Sequence, residues 1–417
     1  MARPFASAHR LDVFEQEIAQ FDAFQSVTQS TERIYQITPT HKQRVPYYTN
    51  EFWTSRQRQA NPLHEISYRA CFKPQLPGFF IERLTLAGEV VLDPFMGRGT
   101  TPLEAALRDR IPYGSDVNPL SRYLLWPRLR PPQVDQVRHR LDSILWRHHG
   151  AIPEELLVFY HPETLRHICA LKTYLEGRDQ EGKLDEVDDW IRMVALNRLT
   201  GHSSGFFSVY SMPPNQAVSV ASQRRINARR QQVPPARDVP GILLRKTKSL
   251  LRQSGIEGSA RLKKLSAQAR LMVARADHIP EVQDESVSLV VTSPPFLDVV
   301  DYAADNWLRC WFLGIQSEQL AITRPHRLEA WRQQMTSVLS ELRRVMKAGG
   351  VVAMEVGEVR KGRVDLEETV IASAIESGLH VRMVMVQQQS FTKTARCWGV
   401  TNNRGGTNTQ RIVLLSK

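Results

Sequence analysis

Short apolar runs alternate with helically spaced apolar positions from residue 63 onward. Residues 90–93 are a short run of three apolar residues closed by Asp93, and a turn rich in Pro and Gly follows, which predicts a buried strand. Residues 101–110 repeat apolar positions with the spacing of an amphipathic helix, and residues 112–116 predict a second short strand. A strand, a loop, a helix and a strand in this order predict half of a doubly wound nucleotide-binding fold.

The same alternation returns in the last third of the chain. A helix is predicted at residues 331–346, and strands are predicted at residues 271–274, 288–292, 350–356, 381–387 and 410–415. We therefore expect one twisted sheet, assembled from two stretches that lie far apart in the sequence.

The stretch between these two segments has a different pattern. Residues 133–149 and 188–199 have helical spacing, whereas strand alternation stops. We therefore predict an α/β fold whose core has two halves, residues 63–130 and 271–417, with a mostly helical insertion at residues 131–270. Residues 1–62 show no clear periodicity, and we treat them as an N-terminal extension without an assigned role.

The composition is that of an ordinary globular protein, with 42% hydrophobic and 24% charged residues among 417. No uncharged apolar run approaches the roughly 18 to 20 residues that a membrane helix needs, and the N-terminus lacks the apolar stretch of a secretory signal. The four cysteines lie far apart, without the paired spacing of a zinc site. We therefore expect a cytoplasmic protein with no membrane contact and no metal.

Positive charge is concentrated in one part of the insertion. The formal net charge is +12, and residues 224–270 hold thirteen Lys or Arg against two acids, which is +11 of that total. Such a concentration favours a polyanionic partner, because each neutralised phosphate releases a counterion. A solvated basic helix face or a flexible arm is the alternative interpretation. The candidate DNA-binding residues are Arg224, Arg225, Arg229, Arg230 and Lys246.

Residues 93–100 place two glycines where the first strand turns into a helix. Glycine lets a backbone approach a ligand closely, although a Gly-x-Gly turn alone is also typical of an ordinary tight turn. The dinucleotide pattern is absent, since its third glycine position is Pro102. Asp116 ends the second strand, where an acid commonly binds ribose hydroxyls. Together these features favour a nucleoside cofactor without a pyrophosphate.

A second loop with candidate chemistry, Ser293-Pro294-Pro295-Phe296, follows the apolar strand at residues 288–292. Two prolines fix the backbone and remove two N–H donors, so the loop presents carbonyl and hydroxyl acceptors. Acceptors suit a base amine, because binding its hydrogens frees the nitrogen lone pair from the ring. Phe296 is a candidate stacking surface for an extrahelical base. The alternative is a structural Pro-Pro loop with a buried Phe.

These motifs resemble those of the DNA amino-methyltransferase family, which makes N4-methylcytosine or N6-methyladenine. Residues 93–100 match its Asp-Pro-Phe-x-Gly-x-Gly-Thr cofactor motif, and residues 293–296 match its catalytic motif in the Ser form that is associated with cytosine N4. The motif order is similar to that of the class with its target-recognition domain between the two motifs. Phe296 in place of the commoner Tyr and Met96 in place of Cys or Ala are modest departures.

The resemblance implies a Rossmann-like class I S-adenosylmethionine-dependent methyltransferase sheet. Residues 63–130 would bind the cofactor, residues 131–270 would recognise the target, and residues 271–417 would carry the catalytic loop. It assigns catalysis to Ser293, Pro294, Pro295 and Phe296. The expected cofactor-binding residues are Phe72, Lys73, Pro74, Asp93, Pro94, Phe95, Gly97, Gly99, Thr100, Asp116, Asn118, Asp277 and Thr292.

The expected function is site-specific methylation of cytosine N4 in double-stranded DNA, by base flipping and direct transfer from S-adenosylmethionine. The expected setting is a restriction–modification system with a cognate endonuclease in a prokaryotic cytoplasm. Adenine N6 is the main alternative target, and an RNA methyltransferase or a catalytically inactive DNA-binding protein are further alternatives. Methylation of the cytosine ring carbon is disfavoured, because it needs a thiolate nucleophile. Enzymes that methylate this carbon usually present the thiolate in a Pro-Cys dipeptide, and no cysteine here follows a proline.

Overall fold

The computed structural model describes residues 5–23, 26–38, 41–54, 60–69, 71–213, 216–296, 302–316, 327–359, 364–388 and 409–417. Its helices are α1 Phe5–Ala19, α2 Gln75–Leu84, α3 Thr100–Leu107, α4 Leu120–Leu129, α5 Val134–Ser143, α6 Pro162–Gln180, α7 Glu186–Leu196, α8 Val220–Arg230, α9 Val239–Leu251, α10 Ile256–Ser266, α11 Tyr302–Leu313, α12 Leu328–Val345 and α13 Leu366–Glu376. Its strands are β1 Gln29–Thr38, β2 His41–Asn50, β3 Val90–Asp93, β4 Ile111–Ser115, β5 Arg270–Met272, β6 Val287–Thr292, β7 Met346–Val356, β8 Glu358–Val359, β9 Val364–Asp365, β10 His380–Gln388 and β11 Thr409–Ser416.

Nine of these strands form one mixed sheet in the order β1-β2-β10-β11-β7-β6-β3-β4-β5. The central strands from β5 to β7 are parallel, whereas β11 runs antiparallel to both β7 and β10. The chain proceeds outward from β3 to β4 and β5 on one side and from β6 to β7 on the other. The predicted doubly wound α/β sheet is therefore confirmed, and its order reverses between β3 and β6.

Helices cover both faces of the sheet because its strands are apolar on both sides. On β3, Leu92 packs into a cluster with Trp331 of α12, whereas Val91 packs into the opposite cluster with Phe80 of α2. Continuous apolar runs are typical of parallel strands that are buried on both faces. This explains why residues 90–93 and 288–292 were predictable as strands.

The N-terminal residues belong to this sheet. Strand β2 pairs in parallel with β10, and β1 extends the edge in an antiparallel hairpin. Phe14 and Ile18 of α1 are buried in the cluster that covers one face. The described residues within 1–62, to which the sequence assigned no role, supply two strands of the sheet and a covering helix. The signal was missed because β1 is an edge strand with alternating polar residues.

The insertion is mostly helical, as predicted. Helices α5 to α10 lie between β4 and β5 in the sequence. Among the described residues of this insertion, β pairing consists of one isolated bridge between Gly201 and Tyr210. Trp190, Phe207 and Leu243 are buried in its core, which α4 and α11 also join. Among the described helices, none is both long and apolar enough to cross a membrane.

Candidate active site

The two predicted motif loops meet at the point where the sheet order reverses. Open α/β sheets bind their ligands at such a switch point, outside the carboxyl ends of the strands. Thr292, at the end of β6, donates its hydroxyl hydrogen to Asp93 Oδ1 at 2.6 Å. Thr101 of α3 donates to the Val291 carbonyl at 3.0 Å. The cofactor loop and the catalytic loop are therefore joined directly, although about two hundred residues separate them in the sequence.

The two glycines of the cofactor loop have different roles. Gly97 and Gly99 adopt left-handed φ angles of +49° and +76°, which favour glycine. A Cβ atom on Gly99 would lie 2.7 Å from Leu125 Cδ2, so this glycine lets α3 pack against α4. Gly97 lies on the cleft surface instead. Gly99 therefore acts through packing, and Gly97 is the glycine that a ligand would approach.

The buried Asp93 carboxylate links the cofactor loop to the end of β6. Besides the Thr292 bond, its Oδ1 accepts a hydrogen bond from the Phe95 backbone N–H at 3.1 Å. Burial raises the pKa of Asp93 to about 7, against the lowering effect of these bonds. The carboxyl group therefore shapes the loop and titrates near neutral pH.

Asp116 and Asn118 form the second wall of the site, at the end of β4. Asp116 accepts hydrogen bonds from the backbone N–H groups of Gly97 at 2.9 Å and of Asn118 at 2.8 Å. Burial raises the pKa of Asp116 above its ordinary value. The Asn118 amide oxygen accepts from Leu120 N–H at 3.0 Å, while its buried Nδ2 has no hydrogen-bond partner among the described residues. An unpartnered buried donor is expected where a polar ligand binds.

A single cleft runs past these groups and encloses about 970 Å³, counting the part open to solvent. Many predicted residues line it, namely Phe72, Asp93, Pro94, Phe95, Gly97, Thr100, Asp116, Asn118, Asp277, Ser293 and Pro295. Tyr68, Cys71, Met96 and Gln334 complete its walls. The aromatic and carboxylate groups that line this one cleft suit a nucleoside with a polar tail.

Asp277 lies at the end of this cleft beyond β5. Its carboxylate is paired with Arg275 at 2.6 Å, and this pairing lowers the pKa of Asp277. The carboxylate is therefore ionised at neutral pH and available as an acceptor for an amine on a ligand.

Several predicted residues lie outside the cleft lining. Pro74 is buried immediately before α2, and Lys73 is partly buried, which lowers its pKa. Pro294 is also buried. Phe296 packs against the core and beside Gly357, where an added Cβ would lie 3.0 Å from Phe296 Cε2. The stacking role of Phe296 therefore remains a prediction, and its ring packs on the end of β7 in this structure.

Sequence reasoning missed Glu355, at the end of β7. The parallel register pairs Thr292 with Met354, which places Glu355 beside Ser293. Glu355 is buried, accepts a hydrogen bond from Gln410 Nε2 at 2.8 Å and accepts one from the Ser293 hydroxyl. Burial raises the pKa of Glu355 to about 7. The available signal was an acid inside an otherwise apolar strand.

Two buried arginines were also missed. Arg98 donates to the carbonyls of Ile66 at 2.8 Å and Phe72 at 3.3 Å, and Arg128 donates to the carbonyls of Leu63 at 3.2 Å and of Arg98 itself. Burial lowers the pKa of Arg128 to about 9. These guanidinium groups hold the segment before α2 against the cofactor loop, and so they position the Phe72 wall of the cleft.

The predicted DNA-binding residues separate into two groups. Arg224, Arg225, Arg229 and Arg230 are exposed on α8. Lys246 lies on α9 with its side chain 14% exposed, and its Nζ is 3.3 Å from the Glu65 carboxylate. Because this charge is buried and already neutralised, Lys246 does not fit a phosphate contact.

No group of three or more His, Cys, Asp or Glu side chains within the described residues is arranged to hold a metal ion.

Comparison with known proteins agrees with the motifs. A family of DNA methylases matches residues 15–121, which include the N-terminal strands, the cofactor loop and Asp116. The type II methyltransferase M.MjaII of Methanocaldococcus jannaschii is 27% identical over 92 residues, which are 22% of this chain and 17% of that protein. The match therefore spans only a small part of the curated relative.

Solved structures with a similar arrangement have low sequence identity. TrmN from Thermus thermophilus is 14% identical with a TM-score of 0.34, and the match covers 87% of this chain and 53% of that chain. A TehB-like SAM-dependent methyltransferase from Corynebacterium glutamicum is 9% identical with a TM-score of 0.30, covering 82% and 86%.

The family match and the cleft agree on the cofactor, which is S-adenosylmethionine. Asp116 and the unpartnered Asn118 amide suit the polar groups of its nucleoside, and Asp277 suits an amine. The matched region also contains the whole Asp-Pro-Phe-x-Gly-x-Gly-Thr loop. The chain therefore resembles the DNA methylase family over residues 15–121.

Proposed function

We propose that this chain transfers a methyl group from S-adenosylmethionine to the exocyclic N4 of cytosine in double-stranded DNA. The observation that carries this proposal is the direct bond between the two motif loops, from Thr292 Oγ1 to Asp93 Oδ1. It joins the cofactor loop to the acceptor loop at the rim of one cleft. Transfer between two bound groups depends mainly on holding them at short distance and in line.

S-adenosylmethionine supplies a methyl group that its sulfonium sulfur makes electrophilic. Asp116 and Asn118 would hold the nucleoside part, and Asp277 would accept a hydrogen bond from the adenine amine. Phe72 and Tyr68 wall the cleft on the side fixed by Arg98. These contacts would orient the methyl group toward the Ser293 end of the cleft.

The catalytic loop offers acceptors to the amine of the target base. The Trp331 indole N–H donates to the Pro295 carbonyl at 2.9 Å, so this carbonyl is used to fix the loop. The Ser293 hydroxyl hydrogen is directed to Glu355, which leaves the Ser293 oxygen lone pairs to accept from a base amine. Accepting those hydrogens localises the nitrogen lone pair for attack.

Glu355 also accounts for the proton that the amine releases after methylation. Its pKa of about 7 lets it take up a proton at neutral pH, and Ser293 lies between it and the cleft. Efficient acid–base groups have pKa values near the working pH. The Ser293–Glu355 pair is therefore a suitable proton acceptor.

The cleft disfavours chemistry at the ring carbon of cytosine. Of the cysteines that the structure describes, Cys71 lines the cleft, and burial raises the pKa of its thiol. A protonated thiol is a poor nucleophile, so covalent addition to the ring is not supported.

The choice of cytosine N4 over adenine N6 rests on the Ser form of the motif. The test is incubation of the purified chain with cofactor and unmethylated duplex DNA, followed by mass spectrometry of the released nucleosides. N4-methylcytosine is expected, with Ser293→Ala as the inactive control. N6-methyladenine without N4-methylcytosine would reassign the target base.

Two further outcomes separate the remaining alternatives. Methylated RNA without methylated DNA would make the chain an RNA methyltransferase. Cofactor binding by calorimetry, without turnover on any DNA, would make it a catalytically inactive DNA-binding protein. The expected setting is the cytoplasm of a prokaryote, where a restriction–modification system would pair this activity with an endonuclease of the same recognition site.

A further inference from the structure

We infer that the outer face of α8, which carries Arg224, Arg225 and Arg229, binds duplex DNA by entering its major groove. This inference rests on the proposed function and names the element through which the insertion meets its substrate. Of the positively charged residues within 224–270, it assigns the DNA contact to one helix.

Charge pairing distinguishes α8 from the two basic helices that follow it. On α9 and α10, the described ion pairs include Lys246–Glu65 at 3.3 Å, Arg261–Asp109 at 3.4 Å and Lys263–Glu186 at 2.8 Å. Lys246 and Arg261 therefore tie the insertion to the core, whereas Lys263 is paired within the insertion.

The arginines of α8 have no such partners. No described carboxylate lies within ion-pair distance of Arg224, Arg225 or Arg229, and all three side chains are exposed. The Arg225 guanidinium donates to the Ser222 hydroxyl of its own helix at 3.1 Å. These charges are available for phosphate or base contacts, whereas paired cations would first have to leave their carboxylates.

The inner face of α8 is fixed to the body of the insertion. Buried Gln223 donates to the Tyr210 carbonyl at 3.0 Å, and Asn227 donates to the Val158 carbonyl at 2.7 Å. The Arg230 guanidinium lies over the Tyr210 ring at 3.8 Å, which anchors the end of the helix. The outer face is therefore presented by a rigid helix, and Arg230 has an anchoring role that the other three arginines lack.

The outer face has a shape that suits a groove. Ala221 and Ala228 are exposed and lie three or four residues from the arginines, so small side chains alternate with long cationic ones on one surface. A helix of 11 residues is about 16 Å long and can lie in a major groove about 12 Å wide. Arginine is also the commonest side chain to bind guanine O6 and N7 there.

The segment before α8 is tied to α11, which in turn contacts a residue next to the active-site cleft. The backbone N–H of Ala217 donates to the Asp305 carbonyl of α11 at 3.0 Å, and the Trp307 indole donates to the Val218 carbonyl at 3.3 Å. Asp305 is in turn paired with Arg69 at 3.0 Å, next to the cleft residue Tyr68. DNA held on α8 would therefore lie beside the opening through which a flipped base reaches Ser293.

The test compares two variants with equal loss of charge. One is R224Q/R225Q/R229Q on α8, and the other, called the α10 variant, is R252Q/R261Q/K263Q on and beside α10, whose three cations are paired with carboxylates. Binding to an unmethylated DNA duplex, whether or not the wild type methylates it, is measured by fluorescence anisotropy over a range of salt concentrations. The α8 variant is expected to reduce the slope of log affinity against log salt by up to about 3, since each lost phosphate contact removes about 0.9. The α10 variant is expected to keep the wild-type slope. A slope that changes in the α10 variant and not in the α8 variant would overturn the inference.

A second measurement tests the groove. Replacing guanine by 7-deazaguanine removes the N7 acceptor from the major groove, so it should weaken binding of the wild type and not of R224Q/R225Q/R229Q. Equal weakening of both proteins would place the guanine contacts elsewhere. If the substitutions R224Q/R225Q/R229Q weaken binding to duplex RNA as much as binding to duplex DNA, the assignment of α8 to DNA is overturned. Cofactor binding by calorimetry and methylation by the wild type are measured separately. Absence of wild-type methylation would contradict the proposed function, whereas the salt dependence of binding tests α8 by itself.

Discussion

At the scale of single residues, Ser293 depends on an acid that no motif contains. Ser293 lines the cleft, and its side-chain hydrogen bond with Glu355 acts to lower the pKa of that buried carboxyl. If Glu355 is protonated, its acid hydrogen can instead donate to the Ser293 oxygen and occupy an acceptor position. Glu355 is thus a positioning residue for Ser293, and its charge state decides whether the loop can accept from an amine.

We expect Glu355→Gln to lower kcat by about 10² to 10⁴ at saturating cofactor and DNA, the usual range for loss of a positioned acid–base group. In the wild type, kcat should rise as the pH rises through about 7, because the Glu355 carboxyl then ionises. The variant should lose this rise. Cofactor affinity, measured by calorimetry, serves as the control and should not change. A rise with the same midpoint in the variant would assign the titration to Asp93.

The two buried acids also make stability depend on pH. The pKa values of Asp93 and Glu355 are both raised to about 7, so below that pH the folded chain retains protons that the unfolded chain has lost. The free energy of unfolding contributed by these groups is therefore largest at low pH and is lost as the pH rises through about 7.

We expect D93N/E355Q to show a smaller fall in unfolding free energy than the wild type between about pH 5 and pH 8. Urea unfolding followed by circular dichroism provides the measurement. The difference between the two proteins isolates these groups from others, such as Asp277, whose pKa is shifted in the opposite direction. Parallel pH curves would contradict the prediction.

At the scale of elements, the cleft depends on how the segment before α2 is attached. Arg98 and Arg128 are buried, and their described bonds run mainly to backbone carbonyls of residues 63–72 and of the cofactor loop. Carbonyl acceptors depend little on side-chain identity, so these contacts specify the backbone path of the wall. The wall carries Tyr68, Cys71 and Phe72 into the cleft.

We expect Arg98→Lys to weaken cofactor binding about tenfold, because a lysine cannot bond both carbonyls and each bond contributes about 1 kcal/mol. Calorimetry would show this as a raised Kd. DNA affinity in the absence of cofactor should remain at the wild-type value, since Arg98 lies beneath the cleft and not on α8. Unchanged cofactor affinity in a folded variant would show that the wall does not need this contact.

At the scale of the whole molecule, the N-terminal residues complete the sheet. Strand β2 pairs with β10, and α1 covers the face that also holds Phe79 and Phe80. The ring centroids of Phe14 and Phe79 are 6.0 Å apart. Removing these elements would expose both an open sheet edge and an aromatic cluster, which are features that promote aggregation.

We expect deletion of residues 1–50 to abolish cooperative thermal unfolding and to make the protein aggregate. The point variant Phe14→Ala removes only the packing of the Phe14 ring of α1, including its contact with Phe79. It should lower the free energy of unfolding by about 3 to 5 kcal/mol. Thermal melts by circular dichroism measure both. A truncated chain that stays monomeric and melts cooperatively would show that residues 1–50 are dispensable for the fold.

Much of the core was predictable because its signal is local. Short apolar runs within residues 90–93 and 288–292 predict buried parallel strands, and strand ends are where ligands bind. The motif residues Asp93, Gly97 and Ser293 then follow from chain order alone. Their position in the cleft could be expected before any coordinate was known.

The sequence by itself determined the two half-sheets, the helical insertion, the motif loops and the excess of positive charge. Tertiary structure decided which charges are available and which groups assist the motifs. Lys246 meets Glu65 from 181 residues away, and Glu355 reaches Ser293 only through the register of two adjacent strands. Such pairings depend on how distant segments pack, and local patterns of polarity carry no information about them. For the same reason, the sequence alone does not show which cations of residues 224–270 are paired with carboxylates and which, like Arg224, Arg225 and Arg229 of α8, are exposed.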